Sequence, residues 1–423
     1  MENALTVALA SWIEDARERT LALVAGLPAS ARLGPRLTIV NPPTWEVGHV
    51  GWFAERWILR HAAGEPPLRQ DGDALWDSSA VPHDTRWGLP LPSWDATLAY
   101  LAEVKRRSIA AAERVDPYFI RLAVLHEDMH GEAFLMTWQT LDYPAPRIAV
   151  RPAQDAGPLP GDARVPGGTF VMGEHDGAPF SFDNEHCAHE VRLERFSIAR
   201  APVTQAEYAA FVDDGGYARR PLWSEEGWRW REGAGAEAPA CWRRQGGEWL
   251  RREFDRWVPL EPHRPVVHVC AHEAEAYCRW AGRRLPTEAE WEAAAAGEAG
   301  GDGRLAVRRR YPWGDEPPTP ERANLDLAAE GPDDVAAHAA GDSAFGCRQM
   351  LGNVWEWTAS DFLPYQWFTP GPYRDYSQPW FGTHRVLRGG AFATRGRLVH
   401  ASFRNFYTPD RRDPFAGFRT CAP

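Results

Sequence analysis

The chain has 423 residues, 44% hydrophobic and 25% charged, a balance that describes a globular protein of two or three domains and excludes a disordered one. A formal net charge of −11 with no long Lys/Arg run argues against binding a phosphate backbone. The six cysteines, at 187, 241, 270, 278, 347 and 421, lack CxxC spacing and read as reduced thiols in a cytosolic setting.

The opening stretch MENALTVALASWIEDARERT sets acids inside its apolar run, so no secretory signal is expected. No uncharged apolar run of about 18 residues occurs, so no membrane span is expected either. Residues 1–141 read as four helices. The first covers 3–26, and the second runs from Trp45 to Ala63 with Trp52, Phe53 and Trp57 on it. Ser93 N-caps a third that reaches about Val115, with Asp95 in its first turn. Asp116-Pro117 opens a fourth that continues to about Leu141. The long irregular loop 64–92 is of a length often given over to function.

Residues 142–163, rich in Pro and Gly, read as a linker. From 164 to 423 short strands, turns and glycines dominate, with helices at Thr204–Asp213, His272–Ala281 and Thr287–Ala296. This half is α+β, without an internal repeat of fixed period.

The chemistry concentrates in the fourth helix. LHEDMHGE places His126 and His130 one helical turn apart, so both imidazoles leave one face and can share an ion. Phe119, Leu122, Ala123, Ala133 and Phe134 accompany them, so that face points into the bundle. His49, in WEVGHVGWF, lies on the apolar face of the second helix, and bundle cores commonly build metal sites from facing helices. Imidazole-only ligation suits Zn, Fe or Cu and leaves positions open for substrates. HExxH also matches the zinc-peptidase pattern, in which Glu127 would be the general base, but no third ligand follows shortly downstream. Glu127 and Asp128 flank the ligands; support of a histidine ring is the functional reading, and a solvated helix face is the one expected.

Over almost its whole length the chain resembles a known family. The first half looks like a DinB-type four-helix bundle. The second resembles the formylglycine-generating-enzyme, C-type-lectin-like fold through VPGGTFVMG, APVTQAEYAAFV, PVVHVCAHEAEAYCRWAGRRLPTEAEWE, YPWG, MLGNVWEWT, VLRGGAFAT and FAGFRT. The combination is that of the ergothioneine-biosynthesis sulfoxide synthases and the related selenoneine synthases, non-haem iron enzymes acting on hercynine. The resemblance implies Fe(II) held by His49, His126 and His130, with O2, hercynine and a chalcogen donor as small-molecule partners, no nucleic acid and no membrane. It implies that the second domain roofs the metal site. A formylglycine-generating activity needs a cysteine pair after RGG, and RGGAFATRGRLVHASFRNF has none.

Departures from the family pattern bear on the donor. Thiol-using relatives read RNWD and then RR; this chain reads Arg404-Asn405-Phe406-Tyr407, then Arg411-Arg412. Asn405 keeps the hercynine contact, Phe406 an aromatic surface and Arg411 a cation. Tyr407 replaces an aspartate, and a neutral phenol cannot pair with the donor's ammonium. In PHDTRWGLP only Arg86 remains of several arginines, with Trp87 beside it, and Met129 stands where relatives often carry Gln. These changes suit a selenosugar, with Trp87 stacking on the sugar face and Tyr407 as a hydroxyl partner, and make selenoneine synthase the expected activity. A hercynine sulfoxide synthase using a thiol donor such as γ-glutamylcysteine or cysteine is the alternative. Phe406 or nearby Trp residues supply cation–π contact for the trimethylammonium, and Tyr376 and Tyr407 are the candidate proton donors. A zinc peptidase, a DinB-type thiol transferase and a non-catalytic binding protein are the competing classes.

Overall fold

The computed structural model describes residues 2–175 and 177–423, which divide into two compact units, Met1–Ala149 and Val150–Pro423. Of the stretch read as a linker, residues 142–149 belong to the first unit and 150–163 to the second. Tyr143 bonds the Ala31 carbonyl at 3.1 Å in the first unit, while Arg151 is clamped on Asp333 in the second.

In the first unit, α1 (Glu2–Val24), α2 (Pro43–Ala54), α4 (Trp94–Ala111) and α5 (Pro117–Thr140) form the bundle, α1 packing on α4 and α5, and α2 on the same two. The caps read from the sequence are present. Ser93 accepts from Ala96 N at 3.3 Å and Asp116 accepts from Tyr118 N at 2.8 Å, each meeting an amide the helix leaves unbonded. α2 begins at Pro43, two residues before the expected start, because proline at the first turn forfeits no bond. It continues as a π-helical segment, Glu55–Ala62. There the buried Glu55 accepts from the Tyr100 hydroxyl at 2.5 Å and from Leu68 N at 2.9 Å. α4 stops at Ala111, short of Val115, in a turn over 112–114.

The 64–92 loop is ordered around α3 (Gly72–Trp76) and a 3-10 segment, His83–Gly88. α3 lies against α2 because Gly48 presents no side chain. A Cβ there would meet Trp76 Nε1 at 2.2 Å. Trp76 is wholly buried and stacks on Tyr100 at 5.2 Å.

The second unit is α+β as expected. One four-stranded sheet runs, neighbour to neighbour, Asn405–Tyr407, Arg385–Arg388, Trp355–Asp361, Ala416–Gly417. Another runs His189–Leu193, Gly168–Met172, Leu305–Arg308, Gly297–Ala299. A two-stranded and a three-stranded sheet complete it. Helices α6 (Gln205–Asp213), α8 (Ala271–Trp280) and α9 (Glu288–Ala296) match the sequence reading to within a residue or two, and α6 and α9 are closed by Thr capping boxes. α7 (Glu225–Ala234) was not expected; only Gly227 of it is buried, so it carries no apolar stripe.

The motif arginines are structural. Arg388, Arg404 and Arg419 are each almost fully buried. Arg388 pairs with Glu292, Arg404 with Glu288 at 2.7 Å, and Arg419 with Glu356 at 2.6 Å. Carbonyl oxygens accept from each guanidinium as well, which helps make a buried charge tolerable. No disulfide joins the six cysteines. Burial holds the thiols of Cys270 and Cys278 above their ordinary range, and pushes Cys347 to about 11 and Cys421 to about 12. Among the described residues no helix is long and apolar enough to cross a membrane.

Candidate metal centre

α2 supplies His49, and successive turns of α5 supply His126 and His130. One ring nitrogen of each lies within 4.8 Å of the others, and this is the only such His/Cys/Asp/Glu cluster among the described residues. His49 and His126 are buried and His130 half-buried. Burial, with the neighbouring His130 adding to it, pushes His49 and His126 well below the ordinary imidazole range. Neutral rings keep the lone pair a metal needs.

The surroundings fix which nitrogen is offered. His49 Nδ1 is 2.8 Å from the Trp76 carbonyl, which can only accept, so Nδ1 carries the proton and Nε2 the lone pair. His130 Nδ1 stands 2.6 Å from Glu46 Oε1, the carboxylate–histidine arrangement that orients metal ligands. His126 lies flat on Phe53, centroids 3.5 Å apart and planes within 3°. Trp45 stacks on His49 at 4.8 Å and 11°. Three converging imidazoles, two of them set against an acceptor at Nδ1, fit a divalent transition-metal ion.

Glu46 is the functional residue that sequence reasoning missed. It is 1% exposed within PTWEVGHVGWFA, and a lone acid in so apolar a helix is a legible sign of a buried partner. The solvated face expected for Glu127 and Asp128 is corrected. Both are buried, because α5 is covered by α1 as well as α2. Glu127 takes a two-point ion pair from Arg17, at 2.7 and 3.0 Å, and Arg17 also donates to the Leu101 carbonyl. A carboxylate neutralised in this way is not placed as a peptidase base.

The remaining expected site residues fall in two groups. In the first unit, Arg86 is buried, donating from Nη1 to Asn41 Oδ1 at 2.6 Å with its guanidinium 3.9 Å over Trp45. Half-buried Trp87 spends its indole N–H on the Gly34 carbonyl at 3.2 Å, and Met129, also half-buried, lies between the ligands on α5. In the second unit, Asn405, Phe406 and Tyr407 form an edge strand paired with Arg385–Arg388. Phe406 stacks on Phe362 at 4.0 Å, and Tyr376 lies 5.8 Å from Phe406 and stacks on Phe182 at 4.2 Å. Arg411 sits over the Tyr407 ring at 5.0 Å with both arms on Asp413, at 2.5 Å each. The Tyr376 phenol is raised well above its ordinary value by burial and by Glu185 and Asp183 nearby.

Comparison with known proteins accounts for both units. Residues 13–134 match the DinB superfamily and residues 148–422 the sulfatase-modifying factor enzyme 1-like domain. The chain is 42% identical to hercynine oxygenase of Mycolicibacterium thermoresistibile, covering 97% of this chain and 94% of that one. It is 40% identical to hercynine oxygenase of Mycobacterium tuberculosis, with 97% of each covered. Identity to the formylglycine-generating enzyme of Streptomyces coelicolor is 36% over 66% of this chain and 95% of that one. Fold and sequence thus define a two-domain class, a DinB-type bundle carrying a candidate three-histidine metal site and a sulfatase-modifying-factor-like domain. Within that class, the chain belongs to the hercynine oxygenase family of ergothioneine biosynthesis.

Proposed function

We propose that this protein is a cytosolic Fe(II)- and O2-dependent enzyme that forms a carbon–chalcogen bond on the imidazole of hercynine, with a thiol such as γ-glutamylcysteine or cysteine as donor. The observation that carries this reading is the cluster of three imidazoles within 4.8 Å, with Glu46 and the Trp76 carbonyl fixing the tautomers of two. The likeness to hercynine oxygenases over 97% of the chain supports the substrate. Bound there, the metal would supply redox access to O2 and acidify a coordinated thiol. The chain's own contribution is to hold three imidazoles in one geometry, which turns a meeting of several reactants into an intramolecular step. Tyr376, kept protonated at neutral pH, is suited to give a proton rather than take one. Phe406, on its aromatic stack, offers a face to a trimethylammonium, and Asn405 offers an amide.

A second reading, a selenosugar donor, is favoured by one set of observations. Tyr407 stands where an ammonium-binding aspartate is expected, Arg411 is already paired with Asp413, and the Nη atoms of Arg86 are bonded within the protein. A donor recognised without charges fits such a set. O2 uptake by the Fe(II)-loaded protein with hercynine, run separately with γ-glutamylcysteine, cysteine and selenoglucose, tests both. Turnover of a thiol alone removes the selenosugar reading, turnover of selenoglucose alone removes the thiol reading, and hercynine-independent uptake removes the family assignment of substrate.

A further inference from the structure

Arg86 is 8% exposed, yet among the described residues no carboxylate lies within ion-pair distance of it. Glu46 opposes its charge only through space, without an ion-pair contact, so oriented dipoles and ring faces must offset much of the cost of burying the guanidinium. Those surroundings are specific. Nη1 donates to Asn41 Oδ1 at 2.6 Å, and Nη2 reaches the Val81 and Ser78 carbonyls at 3.3 and 3.4 Å. Its carbon stands 3.9 Å from the Trp45 ring centroid, close for a cation–π contact.

Trp45 leads directly to the metal centre. Its ring stacks on His49, four residues on along α2. The two rings also share one support, since Trp45 Nε1 donates to the Leu75 carbonyl at 2.7 Å and His49 Nδ1 to that of Trp76 at 2.8 Å. Guanidinium, indole and imidazole therefore form a stack whose last member is a metal ligand, pinned edge-on by consecutive carbonyls of α3. The planar fork of arginine serves two purposes here, lying against the indole while gathering three acceptors from 41, 78 and 81.

We propose that Arg86 is a positioning residue for His49, acting through Trp45, and that its charge is spent inside the protein rather than on a donor carboxylate. This rests on reading the three histidines as a metal site, though not on which donor is used. Lysine is a point charge on a flexible stem and lacks the planar fork, so it should not rescue the role.

The test uses the full-length apoprotein and Co(II), whose ligand-field bands report ligand geometry without turnover. Arg86→Met and Arg86→Lys are each expected to bind Co(II) about 10-fold more weakly and to shift those bands, as supporting residues of metal ligands do. KM for the donor should stay within about twofold while kcat falls. Asn41→Ala, which removes the shortest hydrogen bond to Arg86 from a half-buried position, should act in the same direction by about threefold and guards against misfolding of the Arg86 variants. Wild-type Co(II) affinity and bands in the Arg86 variants overturn the proposal, whether the donor KM rises or only the melting temperature falls. Full rescue by lysine, or an Asn41→Ala protein identical to wild type, overturns it as well. If the wild type turns over no hercynine, the proposed activity fails while the Co(II) measurement still decides the role of Arg86.

Discussion

Gly48→Ala is the smallest change that should disturb the metal centre from outside it. The new methyl would lie 2.2 Å from Trp76 Nε1, 2.3 Å from Cε2 and 2.6 Å from Cζ2. The indole has no room to rotate away, being wholly buried against Tyr100, so it must retreat by roughly 1 Å to reach ordinary contact. Overpacking of this kind costs about 1–3 kcal/mol. The same residue's carbonyl is bonded to His49 Nδ1 at 2.8 Å, and a comparable shift breaks that bond. Losing a ligand's outer partner typically costs about 10–100-fold in metal affinity. The apoprotein melting temperature should therefore fall by about 3–10 °C, and calorimetric titration with Fe(II) under anaerobic conditions should show the weakened affinity. Gly88→Ala, where a Cβ meets nothing within 4 Å, is the control expected to change neither. A Gly48→Ala protein with unchanged melting and unchanged Fe(II) affinity would refute the argument that Trp76 supports His49.

Three further outcomes are expected. His126→Ala should remove metal binding and turnover together; a variant that still binds Fe(II) stoichiometrically with wild-type affinity would exclude His126 as a ligand. Arg17→Met should destabilise by about 3–5 kcal/mol in urea melts by leaving Glu127 buried without its partner. Adding Glu127→Gln should recover much of that loss, and additive single effects would show the pair is not coupled. Asp333 would be raised by burial, but hydrogen bonds from His338 and Arg151 outweigh this and hold it at about 2. Its folded value lies below the unfolded one, so its stabilisation is complete above about pH 5 and is lost as pH falls towards 2. Asp333→Asn should cost about 1–2 kcal/mol in urea stability at pH 6 and progressively less towards pH 2; a pH-independent difference would contradict the assignment.

The clustering of His126 and His130 was legible because an i, i+4 pair among apolar neighbours is a local pattern, and the caps at Ser93 and Asp116 were legible for the same reason. Glu46 declared itself only as an acid in an apolar helix; its partner is 84 residues away, and no local rule pairs them. The five-residue α3 is too short to show a period, yet its carbonyls hold both Trp45 and His49. Arg86 was readable as a cation in a suggestive loop, but where its guanidinium points depends on Asn41 and Trp45, contacts set by packing rather than by neighbouring sequence.

The buried cysteines take on another meaning once O2 chemistry is assigned to this chain. A catalyst that brings oxygen and soft nucleophiles together exposes its own sulfur to attack, and thiolates are the form that is oxidised. Cys270, Cys278, Cys347 and Cys421 stay protonated at neutral pH because burial disfavours the charged form, and solvent does not reach them. Self-inflicted damage should therefore fall on the half-buried Cys187 and Cys241. The useful working life of the protein, counted in turnovers, would then be set by the chemistry of two side chains and not six.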